Sequence, residues 1–94
     1  MPNGDNFVHM PTNATQVIST TACRLGGVAI NTKGASSNVL TLYAGGDSGA
    51  PVIAVIDTTS AIGTIGYDLN VPGLTAVMGT GTAADVTIMW SAGP

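Results

Sequence analysis

The sequence predicts an all-β fold, a small antiparallel β-sandwich or a jelly-roll-like barrel with an extended N-terminal arm. Strong helix formers are scarce, since the 94-residue chain has no glutamate and only one lysine, one arginine and one glutamine. Threonine, valine, isoleucine and glycine are common instead, and they favour pleated strands and tight turns. Short apolar stretches recur every roughly 8–12 residues with turn residues between them, which is typical of sandwiches and barrels.

The length allows one domain, because a domain usually takes roughly 100–200 residues. Residues 1–14 contain Pro2, Pro11 and three asparagines, a composition that favours an extended arm. Within the arm, Phe7, Val8 and Met10 provide apolar side chains that could dock. We therefore predict an arm over residues 1–14 and a single β domain over residues 15–94.

The strands follow the arm in order, and each is predicted by its pattern of apolar and turn residues. Gly26-Gly27 interrupts the second strand and predicts a bulge or a close approach of the backbone. Leu40 and Leu42 alternate with polar residues in the third, whereas the fourth is a continuous apolar run of the kind that is covered on both faces. The fifth is predicted as a short edge strand. The predicted strands are Thr15–Thr20, Ala22–Thr32, Val39–Ala44, Pro51–Asp57, Ile62–Asp68, Leu74–Met78 and Asp85–Ser91.

Charged residues are unusually few, at 7% of the chain against about 25% in an ordinary soluble domain. Two basic and five acidic residues give a net charge of −3. Small polar residues could keep such a chain soluble on their own, but the shortage favours a surface covered by copies or partners, since interface cores are depleted in charge. So few basic residues argue against binding to nucleic acid or to an anionic membrane.

The single cysteine, Cys23, cannot form an intrachain disulfide and is interpreted as a small buried apolar residue. No apolar run approaches the roughly 18 residues of a membrane span. The first residues lack the basic and apolar regions of a signal peptide. We therefore expect a soluble product of a reducing cytoplasm.

One motif suggests an enzyme, because Gly46–Pro51 resembles the nucleophile loop of trypsin-like serine proteases, with Ala50 where that family has a second glycine. The resemblance would make Ser48 the nucleophile. The only histidine, His9, lies in the arm, and Asp47 is too close to Ser48 to orient a distant imidazole. Glycine, aspartate and serine are also ordinary turn residues. We predict a turn, no catalytic residues and no enzymatic activity, with a miniature hydrolase as the third hypothesis.

The remaining candidates for binding are weak. One histidine, one distant cysteine and single aspartates at turns do not predict a metal site, and no cofactor is expected. Tyr43 and Tyr67 could form a sugar-binding platform if they are exposed, whereas Trp90 is predicted in the core because it alternates in phase with Val86 and Ile88. A glycan-binding or fibre module is therefore the second hypothesis.

Residues from about 22 to 91 resemble small structural proteins of tailed bacteriophages in the style and order of their strands. The resemblance implies a β-rich capsid decoration (cement) protein, which commonly trimerises and binds the major capsid protein on the exterior of the virion. It also implies contacts to the capsid or to a neighbouring subunit by the arm, for which Phe7, Val8, His9 and Met10 are the candidates. The stretches that carry the resemblance are Arg24–Asn31, Asn38–Tyr43, Gly49–Thr58 and Gly73–Ile88.

Overall fold

The computed structural model describes residues 6–60 and 62–92, which form two four-stranded antiparallel sheets packed as a sandwich. Sheet A has the strand order β1-β8-β3-β6, and sheet B has the order β2-β7-β4-β5. No helix occurs within these two ranges. The predicted all-β fold is confirmed, and of the two forms it is the sandwich. The strands are β1 Asn6–Met10, β2 Ala14–Ser19, β3 Cys23–Thr32, β4 Val39–Tyr43, β5 Val52–Asp57, β6 Gly63–Val71, β7 Leu74–Gly79 and β8 Asp85–Ala92.

The core lies between the sheets and is built from alternate residues of the inner strands. Leu40 and Leu42 of β4 point inward, as the period-2 pattern predicts, and both are fully buried. In β8 the inward residues Val86 and Ile88 are buried, while Trp90 is partly buried and packs against the core. Cys23 is buried at the start of β3, so the interpretation of this cysteine as a core residue is confirmed.

The predicted bulge in β3 is also confirmed, because the register towards both neighbouring strands shifts between Leu25 and Gly27. On the β6 side, the pairing passes from Leu69 to Gly66 over the same step, and Asp68 adopts a positive φ of 112° there. The extra residues bend the edge of sheet A. They leave Arg24 beside Asp68 and Asn70, to which its guanidinium donates hydrogen bonds.

The prediction that the apolar strand Pro51–Asp57 is covered on both faces is wrong. Its counterpart β5 is the last strand of sheet B, and Val52 and Val55 are exposed. Only Ile56 is buried, while Ile53 and Ala54 pack partly against the core. The edge position predicted for Ile62–Asp68 is confirmed, because β6 ends sheet A, but the strand is not short, since it runs for nine residues.

The N-terminal segment contributes a strand in the structure. Asn6–Met10 pairs antiparallel with β8 as the first strand of sheet A, and the chain crosses to sheet B before β2 begins at Ala14. The first five residues of the predicted arm lie outside the described residues. From residue 6 onward, this segment is therefore part of the sandwich.

Candidate functional site

The exposed apolar side chains of the described residues are concentrated at the two open edges of the sandwich. Edge strands β5 and β6 end the two sheets on one side, and β1 and β2 end them on the other. Every large exposed apolar residue lies on one of these four strands or, in the case of Ile62, directly before β6. The residues are Phe7 and Val17 at the β1–β2 edge, and Val52, Val55, Ile62, Ile65 and Leu69 at the β5–β6 edge.

These edges lack the charges that usually protect an open sheet. An edge strand presents unpaired backbone N–H and C=O groups, and soluble monomers commonly block them with lysine, proline or a cover. None of the four edge strands contains lysine or arginine, and β5 and β6 carry one acid each, Asp57 and Asp68. Asp68 is bound by Arg24 of β3. Among the described residues no further strand covers β1, β2, β5 or β6, so both sides of this part of the sandwich can accept further strand pairing.

A cavity of about 240 Å³ opens between the sheets at the β5–β6 edge, and its lining is largely apolar but includes Asp57, Ser60 and Thr64. Ile56 forms its side towards sheet B, while Ile30, Ile62 and Ile65 form its side towards sheet A. Apolar cavities of about 150 Å³ are large enough to hold benzene. The cavity can therefore accept an apolar side chain of a neighbouring molecule.

The outer faces of the two sheets differ in polarity. The outer face of sheet A carries the ion pair Arg24–Asp68 and a hydrogen bond between the side chains of His9 and Asp85. The outer positions of sheet B are valine, threonine and tyrosine, with the one charge of Asp57 at the end of β5. This surface, called here the sheet B face, is the second candidate for binding, because its seven exposed or partly exposed members carry no charge and include four valines. Its members are Thr15, Val17, Thr41, Tyr43, Val52, Val55 and Val77.

A polar cluster fastens β1 to the rest of sheet A. Nε2 of His9 lies 2.7 Å from Oδ1 of Asp85, and Asn31 Nδ2 donates to the same oxygen at 3.0 Å. Asn31 also donates to the Thr87 hydroxyl at 3.1 Å. The hydrogen bond from Asn31, followed by that from His9, lowers the pKa of Asp85 below its ordinary value. The cluster is on the solvent side of the sheet and positions β1 rather than enclosing a substrate.

The four predicted contact residues alternate between two environments along β1. Phe7 is 70% exposed and His9 is also exposed, so both are on the outer face of sheet A. Met10 belongs to the core, and Val8 packs partly against it. For Val8 and Met10 to contact another molecule, that molecule must approach along the open edge or β1 must leave the sheet.

The turn predicted at Gly46–Pro51 is confirmed. It joins β4 to β5, with the Ala44 N–H donating to the Pro51 carbonyl at 2.8 Å and the Gly49 N–H donating to Asp47 Oδ1 at 2.9 Å. His9 lies in the other sheet, paired with Asp85. The structure therefore does not bring His9 and Ser48 together.

The tyrosines considered for sugar binding are both partly buried. Tyr67 packs against the core, and burial raises the pKa of its hydroxyl. Tyr43 lies on the sheet B face between β7 and β5, opposite Thr75 and Val52. The one strongly exposed aromatic among the described residues is Phe7, which the apolar pattern of the arm had already indicated as a docking residue.

Sequence reasoning missed the β5 half of the candidate site. A continuous apolar run is the pattern of a strand covered on both faces, and nothing in the run itself distinguishes that strand from an edge strand awaiting a partner.

The described residues contain no group of three or more histidine, cysteine, aspartate or glutamate side chains placed to hold a metal ion. Among the same residues there is no helix with the length and apolar character needed to span a membrane. Comparison of the chain with protein-family models, with curated proteins and with solved structures found no match.

Proposed function

We propose that this chain is a non-enzymatic structural subunit of a tailed-bacteriophage particle, which binds an assembled capsid as a decoration (cement) protein. It acts as a homo-oligomer, with a trimer favoured, on the exterior of the virion after assembly in the host cytoplasm. The observation that carries the proposal is the placement of every large exposed apolar side chain of the described residues at the open edges of a sandwich with very few charges.

The two candidate surfaces divide the work of such a subunit. The edges of sheet A, β1 with Phe7, Val8, His9 and Met10 and β6 with Ile65 and Leu69, are assigned to contacts with neighbouring subunits. The sheet B face, which includes Val17, Val52 and Val55 of the sheet B edge strands, is assigned to the major capsid protein, because a largely uncharged surface resembles the core of an interface. Val55, at 65% exposure, is its most exposed large apolar member.

The effect on the shell is thermodynamic. A protein that binds the assembled shell and not its dissociated subunits stabilises the shell by mass action, by about 2.7 kcal/mol per site when its free concentration is 100 times the dissociation constant. No chemical step is needed. A sandwich with an apolar surface and few charges meets this requirement without an active site.

Co-sedimentation with empty capsids tests the capsid contact. Val55→Lys places a charge on the sheet B face and should weaken binding at least about tenfold, since burying a charge without a partner in a contact is costly. Ala29→Lys is the matched control, because Ala29 lies on the outer face of sheet A in the central strand β3. Equal sedimentation of both variants with the unmodified protein, or no sedimentation of the unmodified protein, contradicts the proposal.

A further inference from the structure

The two open edges of sheet A are complementary to each other, and we propose that β1 of one copy pairs with β6 of the next copy. Sheet A then continues from subunit to subunit. The inference rests on the proposed function only in treating the chain as an assembly subunit. It adds the identity of the partner, which is a second copy of this chain, and the strands through which the two copies join.

The strand directions already permit this contact. Each neighbouring pair in β1-β8-β3-β6 is antiparallel, so β1 and β6 run in opposite directions. A β1 strand added to β6 by a head-to-tail contact is therefore antiparallel to it, like every other pair in the sheet. Such a contact leaves one β1 edge and one β6 edge free, and repeating it closes a ring when the rotation between subunits allows.

On the outer face, a row of residues ends at a glycine that has space for a neighbour. Phe7 pairs with Met89, Met89 with Gly27 and Gly27 with Gly66 across the four strands. Apart from its two chain neighbours, no described residue has an atom within 4 Å of the position that a Cβ of Gly66 would occupy. Continuing the row places Phe7 of the next copy beside Gly66. An aromatic side chain that covers a glycine on a neighbouring strand stabilises a sheet.

On the inner face, the adjacent row ends at an apolar side chain that is only partly covered. Val8 pairs with Ile88, Ile88 with Val28 and Val28 with Ile65. Val28 is fully buried, whereas Ile65 at the end of the row is 37% exposed because the sheet stops there. The same continuation places Val8 of the next copy beside Ile65, and the added strand lies along the mouth of the cavity. Cross-strand pairs of β-branched side chains are favourable.

The charges of the two strands fit a second copy. The described part of β1 has no acidic residue, and the one acid of β6, Asp68, is bound by Arg24 of its own subunit. The five residues of β1 pair with a stretch of β6 roughly 17 Å long at about 3.3 Å per residue, and the sandwich is 16 Å across its shortest dimension. The paired strands thus bury on the order of 300 Å² per partner, or about 600 Å² in total, which is below the roughly 1,000 Å² of a specific interface, so a single contact is weak. In a ring, every copy makes this contact twice.

A lysine at Gly66 tests the proposal without disturbing the single subunit. The Cβ position of Gly66 is free of other described residues apart from its chain neighbours, so Gly66→Lys should fold, while its ammonium group occupies the place assigned to Phe7 of the next copy. Gly79→Lys is the matched control, because Gly79 also has open space but lies on β7, an inner strand of sheet B. Native mass measured by light scattering should fall towards 9.3 kDa for Gly66→Lys and stay oligomeric for Gly79→Lys. An unmodified protein of 9.3 kDa at high concentration, or a Gly66→Lys variant that keeps the oligomeric mass, overturns the proposal.

Engineered cysteines identify the strands that meet. Directly opposed residues of antiparallel strands have Cα atoms about 4.5–5.5 Å apart, which is within the range of a disulfide. The double variant Phe7→Cys/Gly66→Cys should give a ladder of cross-linked oligomers on oxidation, while each single variant stays uncross-linked. If Gly66→Cys alone gives dimers, β6 pairs with its own copy and the head-to-tail contact is wrong. The unmodified chain is the control, since Cys23 is buried.

Capsid binding separates this inference from the proposed function. An oligomer that is lost in Gly66→Lys but that never sediments with capsids supports the strand contact and contradicts the decoration role. A monomer that sediments with capsids supports the decoration role and contradicts the strand contact.

Discussion

Replacement of Asn38 should destabilise the domain more than any change on its surface. Its side chain is fully buried at one end of the sandwich, where it joins segments from both sheets. Oδ1 accepts hydrogen bonds from the Thr58 hydroxyl at 2.6 Å and from the Ala84 N–H at 3.3 Å. Nδ2 donates to Asn13 Oδ1 and to the Thr80 carbonyl, each at 2.8 Å.

The cost of Asn38→Ala follows from the partners it leaves behind. The buried Ala84 N–H loses the acceptor that Asn38 provides, at a cost of about 1–3 kcal/mol. The Thr58 hydroxyl loses its hydrogen bond to Asn38 Oδ1 but keeps the one to the Asn38 backbone carbonyl at 3.1 Å, so this loss costs about 1 kcal/mol. The oxygens that accept from Nδ2 lose their hydrogen bonds at a combined cost of about 1 kcal/mol. We expect a decrease of about 3–5 kcal/mol in the free energy of unfolding. A loss of this size lowers the melting temperature of a small domain by at least about 12 °C.

Asn38→Asp separates the effect of losing the Nδ2 hydrogen-bond donors from the effect of losing the side-chain volume, because it removes the donors alone. It keeps the shape and the acceptor of the side chain, but directs a second oxygen at the Asn13 and Thr80 oxygens. The burial and these oxygens disfavour the charged form, so the pKa of the new carboxyl should lie above its unfolded value. The folded state of Asn38→Asp then binds the proton more tightly than the unfolded state. Its free energy of unfolding should therefore approach that of the unmodified protein as the pH falls towards about 4.

Urea unfolding followed by the fluorescence of Trp90 measures both variants, at two protein concentrations so that any contribution of oligomerisation is separated. For Asn38→Ala, the loss in the free energy of unfolding relative to the unmodified protein should not decrease as the pH is lowered. A loss below about 1 kcal/mol for Asn38→Ala would refute the assignment of Asn38 as the structural link between these segments.

Three further changes test other parts of the structure. The pKa of Asp85 is lower in the folded protein than its value of about 3.9 in the unfolded chain, so the ionised carboxylate stabilises the fold at pH values above about 3.9. This contribution is lost as the pH falls through the lower pKa of the folded state. Asp85→Asn, which removes the charge beside His9, should therefore flatten the acid side of the stability curve measured by chemical unfolding. Gly81→Ala should destabilise by more than about 1 kcal/mol in the same assay, since Gly81 has a φ of 58° and a Cβ there would lie 2.2 Å from the Ser36 carbonyl oxygen. Unchanged stability would contradict that geometry. Trp90→Phe should change the free energy of unfolding by no more than about 1 kcal/mol. The packing that is lost is offset by removal of an Nε1–H that is buried without a partner among the described residues. A large loss of stability would show that Nε1 does have a hydrogen-bond partner.

The inner strands of the fold could be predicted from the sequence because their pattern is determined locally. Alternation in β4 identified Leu40 and Leu42 as core residues, and the paired glycines of β3 identified the bulge. These features depend on the period of the strand and on the backbone space that glycine allows, both of which are properties of adjacent residues.

The edges could not be assigned in the same way, because strand order depends on contacts between distant residues. β4–β5 is a hairpin within one sheet, while every other successive pair of strands crosses between sheets. β5 is as apolar as a central strand, yet it ends sheet B with Val52 and Val55 uncovered. In the same way, β1 lies in a segment rich in turn residues, and its pairing with β8 requires residues some eighty positions away. The sequence shows that these strands are apolar, but it does not show which of them lack a neighbouring strand in the sheet.

Of the two proposed contacts, shell binding by the sheet B face is too small to be strong in a single subunit, so it would depend on β1–β6 pairing between copies. The sheet B face covers four strands about 4.8 Å apart and five or six residues long, an area of roughly 350–400 Å². That is about half of the roughly 800 Å² per partner found in a specific interface, so one face alone would bind a capsid weakly. Three faces held in a ring by β1–β6 pairing would bind a symmetric site on the shell together, and linked contacts of this kind raise apparent affinity by about 10²–10⁴. On these terms a variant that cannot form the ring, such as Gly66→Lys, should retain an intact sheet B face and still bind capsids far more weakly than the assembled protein.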